Sequence, residues 1–397
     1  MGMFADRMSQ VSVSATLKVA AEAERLRRAG HNVVDFSAGE PDFPTPEHVK
    51  SAAKAAIDAN FTRYTAAAGI PELREAICGR YKRDYGVDIT AAEVLLTFGG
   101  KQALFNTALA LFNPGDEVIT HAPYWPTIPE QVKLVGAVPV IVQTSSEDGF
   151  RVSAEAMLAK ITPKTKAILL NTPSNPTGAL IEESVIAAIA EEAAKRGIWT
   201  IVDLCYEQLI YETVPHNLPK ALFDHNRART VLCGSASKSY AMTGWRAGWT
   251  IASKELTSVF NIIQGQSTSN ISSITQKAVL AAVSGSQDAV TVMLDEYRER
   301  RDNIHAWLTA HPGIQCVKPK GAFYLFPNIS GLLAPGTTST DFAQALLEKE
   351  HVVVTPGEAF DAPGYLRISY ATSMEQLREG ATRILRFAES LQHATAR

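Results

Sequence analysis

Between residues 94 and about 252, short apolar runs alternate with helical patterns, and few folds accept that alternation. The runs are 94–98, 117–120, 138–142, 167–171, 199–203, 230–234 and 248–252. Near-continuous apolar strands are buried on both faces, and strands separated by helices pair in parallel. A seven-stranded, mostly parallel α/β sheet is therefore expected. Ligands in such sheets bind beyond the carboxyl ends of the strands. Four of these ends carry chemistry: Gly99-Gly100, Asn171, Asp203 and Ser235.

The flanks read differently. After residue 285 a long helix over 288–310 leads to a strand at Gly321–Phe326 and a helix over 340–350. Two short strands near 352–355 and 365–370 and a final helix from about 373 follow, an α+β pattern. Ahead of the sheet, a helix over 14–29 stops at Gly30, a strand covers Val33–Phe36, and Gly39–Pro46 is a proline-rich loop. Thr45 is expected to cap a helix running to about Asn60, and Pro71 opens another. We expect an N-terminal arm and part of a small domain over 1–45, a large domain over 46–285 and the rest of the small domain over 286–397.

Composition removes whole classes of function. A formal net charge of -3 over 397 residues gives no electrostatic case for nucleic acid or an anionic membrane. No apolar run reaches transmembrane length, and the amino terminus has no apolar signal region, so a cytoplasmic enzyme is expected. Cys78, Cys205, Cys233 and Cys316 lack metal-site spacing, and free thiols with no metal are expected.

The chemistry concentrates after the sixth strand, in Ser235-Ala-Ser-Lys-Ser-Tyr-Ala-Met-Thr-Gly-Trp-Arg246. Lys238 reads either as a solvated surface charge or as a partly desolvated amine able to attack a carbonyl. Ser235 and Arg246 suit a phosphate, since a guanidinium forks onto its oxygens while a hydroxyl donates. An aldehyde carrying a phosphate is what such a site would hold, and pyridoxal phosphate is one. Local chemistry alone leaves the two readings of Lys238 level.

Other residues bear on the choice. Gly99-Gly100 opens a helix whose unpaired N–H groups suit an anion, or marks only a tight turn. Asp203 ends a buried strand and needs a partner, either a neighbouring arginine or helix end or a protonated pyridine nitrogen. Tyr206, three residues on, could reach the phenolic oxygen of the same ring. The two X-Pro steps of Asn171–Gly178 predict an extended, rigid loop presenting Asn175. Trp125 follows a strand and reads as core or as an aromatic stacking on a cofactor. Arg367 lies in a half-buried strand pattern, where an arginine is unusual unless it meets a carboxylate.

In this order, these motifs resemble the class I aminotransferases of pyridoxal-phosphate fold type I, and among them the bacterial aspartate aminotransferases that include prephenate-active members. The resemblance rests on Gly39-Glu-Pro-Asp-Phe43, Tyr64 with Ala68–Arg74, Gly99-Gly-Lys-Gln102, Tyr124-Trp125, Asn175-Pro-Thr-Gly178, Asp203 with Tyr206, Ser235-x-Ser-Lys238, Met242–Arg246 and Arg367–Ala371. It covers nearly the whole chain. The resemblance implies that Lys238 bonds the cofactor aldehyde and then moves the proton between the substrate Cα and the cofactor. It implies that Asp203 keeps the pyridine nitrogen protonated, that Tyr206 and Asn175 bond the phenolic oxygen, and that Trp125 stacks on the ring. Gly100, Lys101, Ser235 and Arg246 would bind the phosphate, with Tyr64 reaching across from a second subunit of a homodimer. Arg367, Asn175 and Gly39 would hold the substrate carboxylate.

Lys101 and Ser14-Ala-Thr16 occupy the places that read a distal carboxylate in aspartate-specific relatives. The resemblance thus implies transfer of the amino group of L-aspartate to 2-oxoglutarate by a ping-pong mechanism. Three departures bear on substrate. Ser12-Val13 replaces a Lys-Pro found in prephenate-active relatives and argues against prephenate. Pro126-Thr-Ile128 and Leu204-Cys205 also differ from the family pattern. The alternatives are an aminotransferase of aromatic amino acids or prephenate, or a fold type I lyase acting on carbon–sulfur bonds. A transcription regulator with an aminotransferase-like domain is a rival from another class. It would need a DNA-binding module, and Gly39 begins the pattern too early to leave room for one.

Overall fold

The computed structural model describes residues 5–11, 15–212 and 216–395. The Ser12-Val13 and Ser14-Ala-Thr16 readings fall outside the residues and side chains described. The strands are β1 (Val34–Asp35), β2 (Val94–Thr97), β3 (Glu117–Ala122), β4 (Val138–Gln143), β5 (Thr165–Asn171) and β6 (Trp199–Asp203). They continue as β7 (Thr230–Ser235), β8 (Gly248–Ile251), β9 (Tyr324–Leu325), β10 (Val352–Val353), β11 (Thr355–Pro356) and β12 (Leu366–Ser369).

Seven of these form one sheet in the order β2-β8-β7-β6-β5-β3-β4. Every pair is parallel except those made by β8, which runs antiparallel to both β2 and β7. The fold is the α/β arrangement expected. The reversal of β8 brings Gly248 between Thr97 and Ser235, at the end of the sheet where β2 and β7 finish.

Alternating strand residues feed two hydrophobic layers, as pleating requires. Leu96, Ile168, Leu170, Val202 and Leu232 face one layer, under helices that include Pro71–Tyr85 and Glu183–Arg196. Leu95, Leu169, Ile201 and Val231 face the other, under Gly100–Leu111 and Lys254–Ser267. A further core gathers Val34 and Phe36 with Tyr297, Phe323, Leu346, Ile368 and Ile384. There β1 pairs in parallel with β10, and β11, β12 and β9 form a small antiparallel sheet.

Two local expectations change. The helix after the proline-rich loop is Glu47–Asp58 with Pro46 at its cap position, and Thr45 makes no cap bond. The Thr45 hydroxyl instead donates to the Ala241 carbonyl at 2.7 Å and accepts from the Trp245 indole at 2.9 Å. A long-range tie has won over a local cap. The 171–178 loop is not extended. It turns back on itself, with Gly178 N–H on the Ser174 carbonyl and Ser174 N–H on the Ala179 carbonyl, both at 2.9 Å.

Candidate active site

A cavity of about 1120 Å³ opens at the carboxyl ends of the parallel strands. Its lining includes Gly39, Gly100, Lys101, Trp125, Asn175 and Asp203, together with Tyr206, Ser235, Lys238, Arg246 and Arg367. Tyr64 is absent from the lining and is 92% exposed, so a single chain does not bring it to the cavity.

One end of the cavity is built by glycine. Gly99, with φ +81°, precedes the helix Gly100–Leu111, whose first N–H groups have no partner within the helix. A Cβ on Gly248 would lie 2.6 Å from the Gly99 carbonyl carbon and 2.7 Å from the Gly100 nitrogen. Only a glycine there lets β8 and the helix start come together beside Ser235. The Ser235 hydroxyl accepts from the Ser237 N–H at 3.1 Å and donates only a long bond of 3.4 Å to the Ala247 carbonyl, which a phosphate oxygen can replace. Arg246 reaches the same corner, its guanidinium donating to the carbonyls of Thr243 at 2.9 Å and Phe98 at 3.2 Å. Backbone N–H groups at a helix start, hydroxyls and a guanidinium make a phosphate cradle.

In the middle lies Asp203, 2% exposed, which accepts the Cys205 N–H at 3.0 Å. Burial pushes its carboxyl up to about 6, with the Cys205 N–H and the Lys238 charge offsetting only part of the lost solvation. A buried carboxylate that forms no ion pair among the described residues suits a cationic ligand group, and a protonated pyridine nitrogen is one. Lys238 Nζ donates to the Gly39 carbonyl. Burial lowers the Lys238 pKa, moving the amine toward the neutral form that a nucleophile or base needs. The donor set therefore fits pyridoxal phosphate at both ends, phosphate and ring nitrogen.

The facing wall comes from the second core. The Arg367 guanidinium, 4% exposed, donates to Asn175 Oδ1 at 3.2 Å and to the Ser37 carbonyl at 2.8 Å. It lies 4.5 Å from the centre of the Tyr324 ring and 5.1 Å from that of Phe360, and its Nε has no hydrogen-bond partner among the described residues. A buried guanidinium with spare donors suits a carboxylate. The Tyr206 hydroxyl meets the Tyr324 hydroxyl at 2.8 Å. At the mouth, Lys101 Nζ sits 5.0 Å from the Trp125 ring centre, and burial lowers its pKa with help from Arg246.

The sequence did not point to Tyr324, Phe360 or Ser237, all of which line the cavity. Aromatic residues in short apolar strands and turns look like core, and no spacing marks them as part of a site. Ser237 carried a signal in the Ser-x-Ser-Lys motif. Among the described residues no group of three His, Cys, Asp or Glu is placed to hold a metal ion.

Comparison with known proteins supports the same reading. The sequence profile of "Aminotransferase class I and II" matches residues 31–384. An aspartate/prephenate aminotransferase of Cereibacter sphaeroides is 43% identical, covering 98% of this chain and 100% of its own. An aspartate aminotransferase of Geobacillus stearothermophilus is 41% identical over 97% of this chain and 99% of its own. A Thermus thermophilus aspartate aminotransferase solved with maleate superposes with a TM-score of 0.92 at 41% identity, covering 98% of this chain and 100% of that one. One cavity holds a phosphate cradle, a buried carboxylate, an amine and a carboxylate-binding guanidinium, and the match to these relatives runs nearly end to end. The chain therefore belongs to the class I and II aminotransferases, pyridoxal-phosphate-dependent enzymes of fold type I.

Proposed function

We propose that the protein is an aspartate aminotransferase, moving the amino group of L-aspartate to 2-oxoglutarate and releasing oxaloacetate and glutamate in two half-reactions. One observation carries this reading: Lys238 from the helical turn after β7, Asp203 from β6 and Arg367 from β12 converge on one cavity that also has Lys101 at its mouth. Pyridoxal phosphate, when bound, supplies an electron sink for the pair released at the substrate Cα and a carrier for the amino group. Gly100, Ser235 and Arg246 hold its phosphate, and Asp203 holds the proton on its ring nitrogen. Tyr206 and Asn175 bond its phenolic oxygen, and Trp125 packs on its ring. Arg367 would grip the substrate α-carboxylate, and Lys238 would take the proton from Cα and deliver it to the cofactor's aldehyde carbon, two bonds away. Lys101 reads the distal carboxylate. The maleate bound by the Thermus thermophilus relative is itself a dicarboxylate, in keeping with that assignment.

We also propose a homodimer in which Tyr64 of one chain completes the phosphate site of the other, since a tyrosine 92% exposed in one chain has its ring free to dock. A large unit over 46–285 and a small one formed by part of 1–45 with 286–397 would close on each other around the substrate. The pairing of β1 with β10 supports that division. A cytoplasmic location completes the reading, supported by four free cysteines.

The test is the visible absorbance of the cofactor-loaded protein, titrated with L-aspartate, L-phenylalanine and L-cysteine without keto acid. Loss of the long-wavelength band with aspartate, and appearance of oxaloacetate, is the expected result. Conversion by phenylalanine alone would replace the substrate. Release of pyruvate and sulfide from cysteine with the band intact would replace transamination by elimination.

A further inference from the structure

Immediately beyond Tyr206 the chain buries a charge that never touches the cavity. Asp203 ends β6, and the next residues make one helical turn, Glu207 N–H bonding the Leu204 carbonyl at 3.0 Å and Leu209 N–H the Tyr206 carbonyl at 2.8 Å. Successive side chains on such a turn point about 100° apart. Tyr206 lines the cavity, and Glu207 enters the protein on the side of the helix Pro71–Tyr85.

There Glu207 Oε1 lies 2.7 Å from Arg80 Nη2, with the two side chains 3% and 0% exposed. Glu207 Oε2 accepts the Tyr85 hydroxyl at 2.7 Å and, more loosely, the Tyr81 hydroxyl at 3.4 Å. Arg80 also meets Asp84 at 3.1 Å, and its guanidinium stands 5.5 Å from both the Tyr81 and Trp249 ring centres. The Trp249 indole donates to the Tyr81 hydroxyl at 3.3 Å, and Tyr240 adds a phenol near the guanidinium. Trp249 belongs to β8 one residue after Gly248, and a Cβ on Gly234 would overlap its indole. The knot thus grips both the turn that carries Asp203 and Tyr206 and the strands that carry the phosphate corner.

A fully buried ion pair contributes little net stability, because desolvation offsets most of the attraction, and apolar replacements of equal volume often do as well. What it does impose is position, since one Glu207 oxygen is held by the Arg80 charge and the other by the Tyr85 and Tyr81 hydroxyls. We propose that Arg80 and Glu207 are positioning residues for the reaction, clamping the turn so that the Asp203 carboxylate and the Tyr206 hydroxyl stay aimed at the cofactor ring. The inference rests on the functional reading above. The Glu207 charge also bears on Asp203 and adds to the upward push that burial gives its carboxyl.

The experiment uses the cofactor-loaded protein and the double variant Arg80→Met/Glu207→Leu, which removes both charges at similar volume. A hydroxyl donated to the ring's phenolic oxygen holds down that oxygen's affinity for a proton, so loosening Tyr206 raises the pH midpoint of the visible band. We expect the cofactor-free double variant to melt within about 4 °C of the parent. Its cofactor dissociation constant should rise about tenfold, and the midpoint should rise by about one pH unit. A double variant with the parental constant and midpoint would overturn the inference, leaving the pair a packing feature. If the double variant does not fold, Glu207→Gln, which keeps shape and loses charge, decides by the same two readings. A parent that neither binds the cofactor nor turns over aspartate sinks the functional reading. A competent parent with a silent variant sinks only the clamp.

Discussion

On the sheet side of the cavity, Asn171, Asp203 and Ser235 each close a parallel strand, and the backbone of that strand aims them. On the facing side, Arg367 sits in a four-residue strand and is aimed by distant partners: Asn175, the Ser37 carbonyl and the rings of Tyr324 and Phe360. The sheet wall is positioned by local structure, the facing wall by contacts between remote segments. The two walls should therefore fail differently. Damage to the first strikes the chemistry and the cofactor. Damage to the second strikes the amino acid and leaves the cofactor in place.

The largest effect belongs to the sheet wall. Lys238→Ala removes the only amine proposed to move the substrate proton, and turnover should fall by about 10⁴-fold or more. The cofactor should still bind through phosphate contacts, which dialysis against free cofactor would measure. Turnover near that of the parent would break the comparison at its root.

Arg367→Lys on the facing wall keeps the charge but loses the planar fork and the stacking. KM for L-aspartate should rise about 30- to 100-fold, equivalent to about 2–3 kcal/mol of lost charged hydrogen bonding. The absorption band of the loaded protein and its pH midpoint should not move. A shifted midpoint would mean the two walls are not separable.

The smallest effect is a pH dependence confined to the sheet side. Burial holds the Asp203 carboxyl at about 6 in the folded cofactor-free chain, above its ordinary value near 3.8. The folded state therefore binds the extra proton, and the associated stability is present at low pH and lost as pH rises through about 6. His121, 4% exposed on β3, behaves oppositely. Burial lowers it from 6.5 to about 4, so its contribution is present above 6.5 and lost as pH falls through about 4. The two slopes oppose each other between pH 4 and 6. Asp203→Asn should leave the His121 slope alone and raise cofactor-free stability above pH 6 by on the order of 1–3 kcal/mol, with no gain near pH 4. Arg367→Lys should show no such pH-dependent gain. Chemical denaturation at several pH values measures both.

Legibility followed the same division. The seven strands of the large sheet were readable because each is a short, mostly apolar run between turn residues, and all but the edge strand β4 are largely buried, which leaves few polar interruptions such as His121 and Thr250. Asp203 and Ser235 stood out as polar residues ending such runs. The small strands were placed but not bounded: the strand expected over Gly321–Phe326 is only Tyr324–Leu325, and the one near 352–355 is two short pieces, Val352–Val353 and Thr355–Pro356. Tyr324 and Phe360 looked like core because an aromatic ring beside an arginine is indistinguishable, in sequence, from one beside a leucine. The capping role expected of Thr45 and the extended loop expected after Asn171 failed for different reasons. Thr45 gave up a local cap for hydrogen bonds to Ala241 and Trp245 far along the chain, whereas the loop closed on itself through bonds among Ser174, Gly178 and Ala179.

By itself the sequence determined the α/β sheet, the order of its strands along the chain and the chemical types gathered at their ends. Those depend on hydrophobic period and on single residues, which are local properties. Only the tertiary structure decided that β8 runs backwards, so that Gly248 admits the start of the helix Gly100–Leu111 beside Ser235. It also decided that Arg367 meets Asn175 across 192 residues, and that Glu207 turns away from the cavity to pair with Arg80. Strand direction, close approach and ion pairing over such separations depend on how segments are brought together, and no periodicity within a segment encodes that.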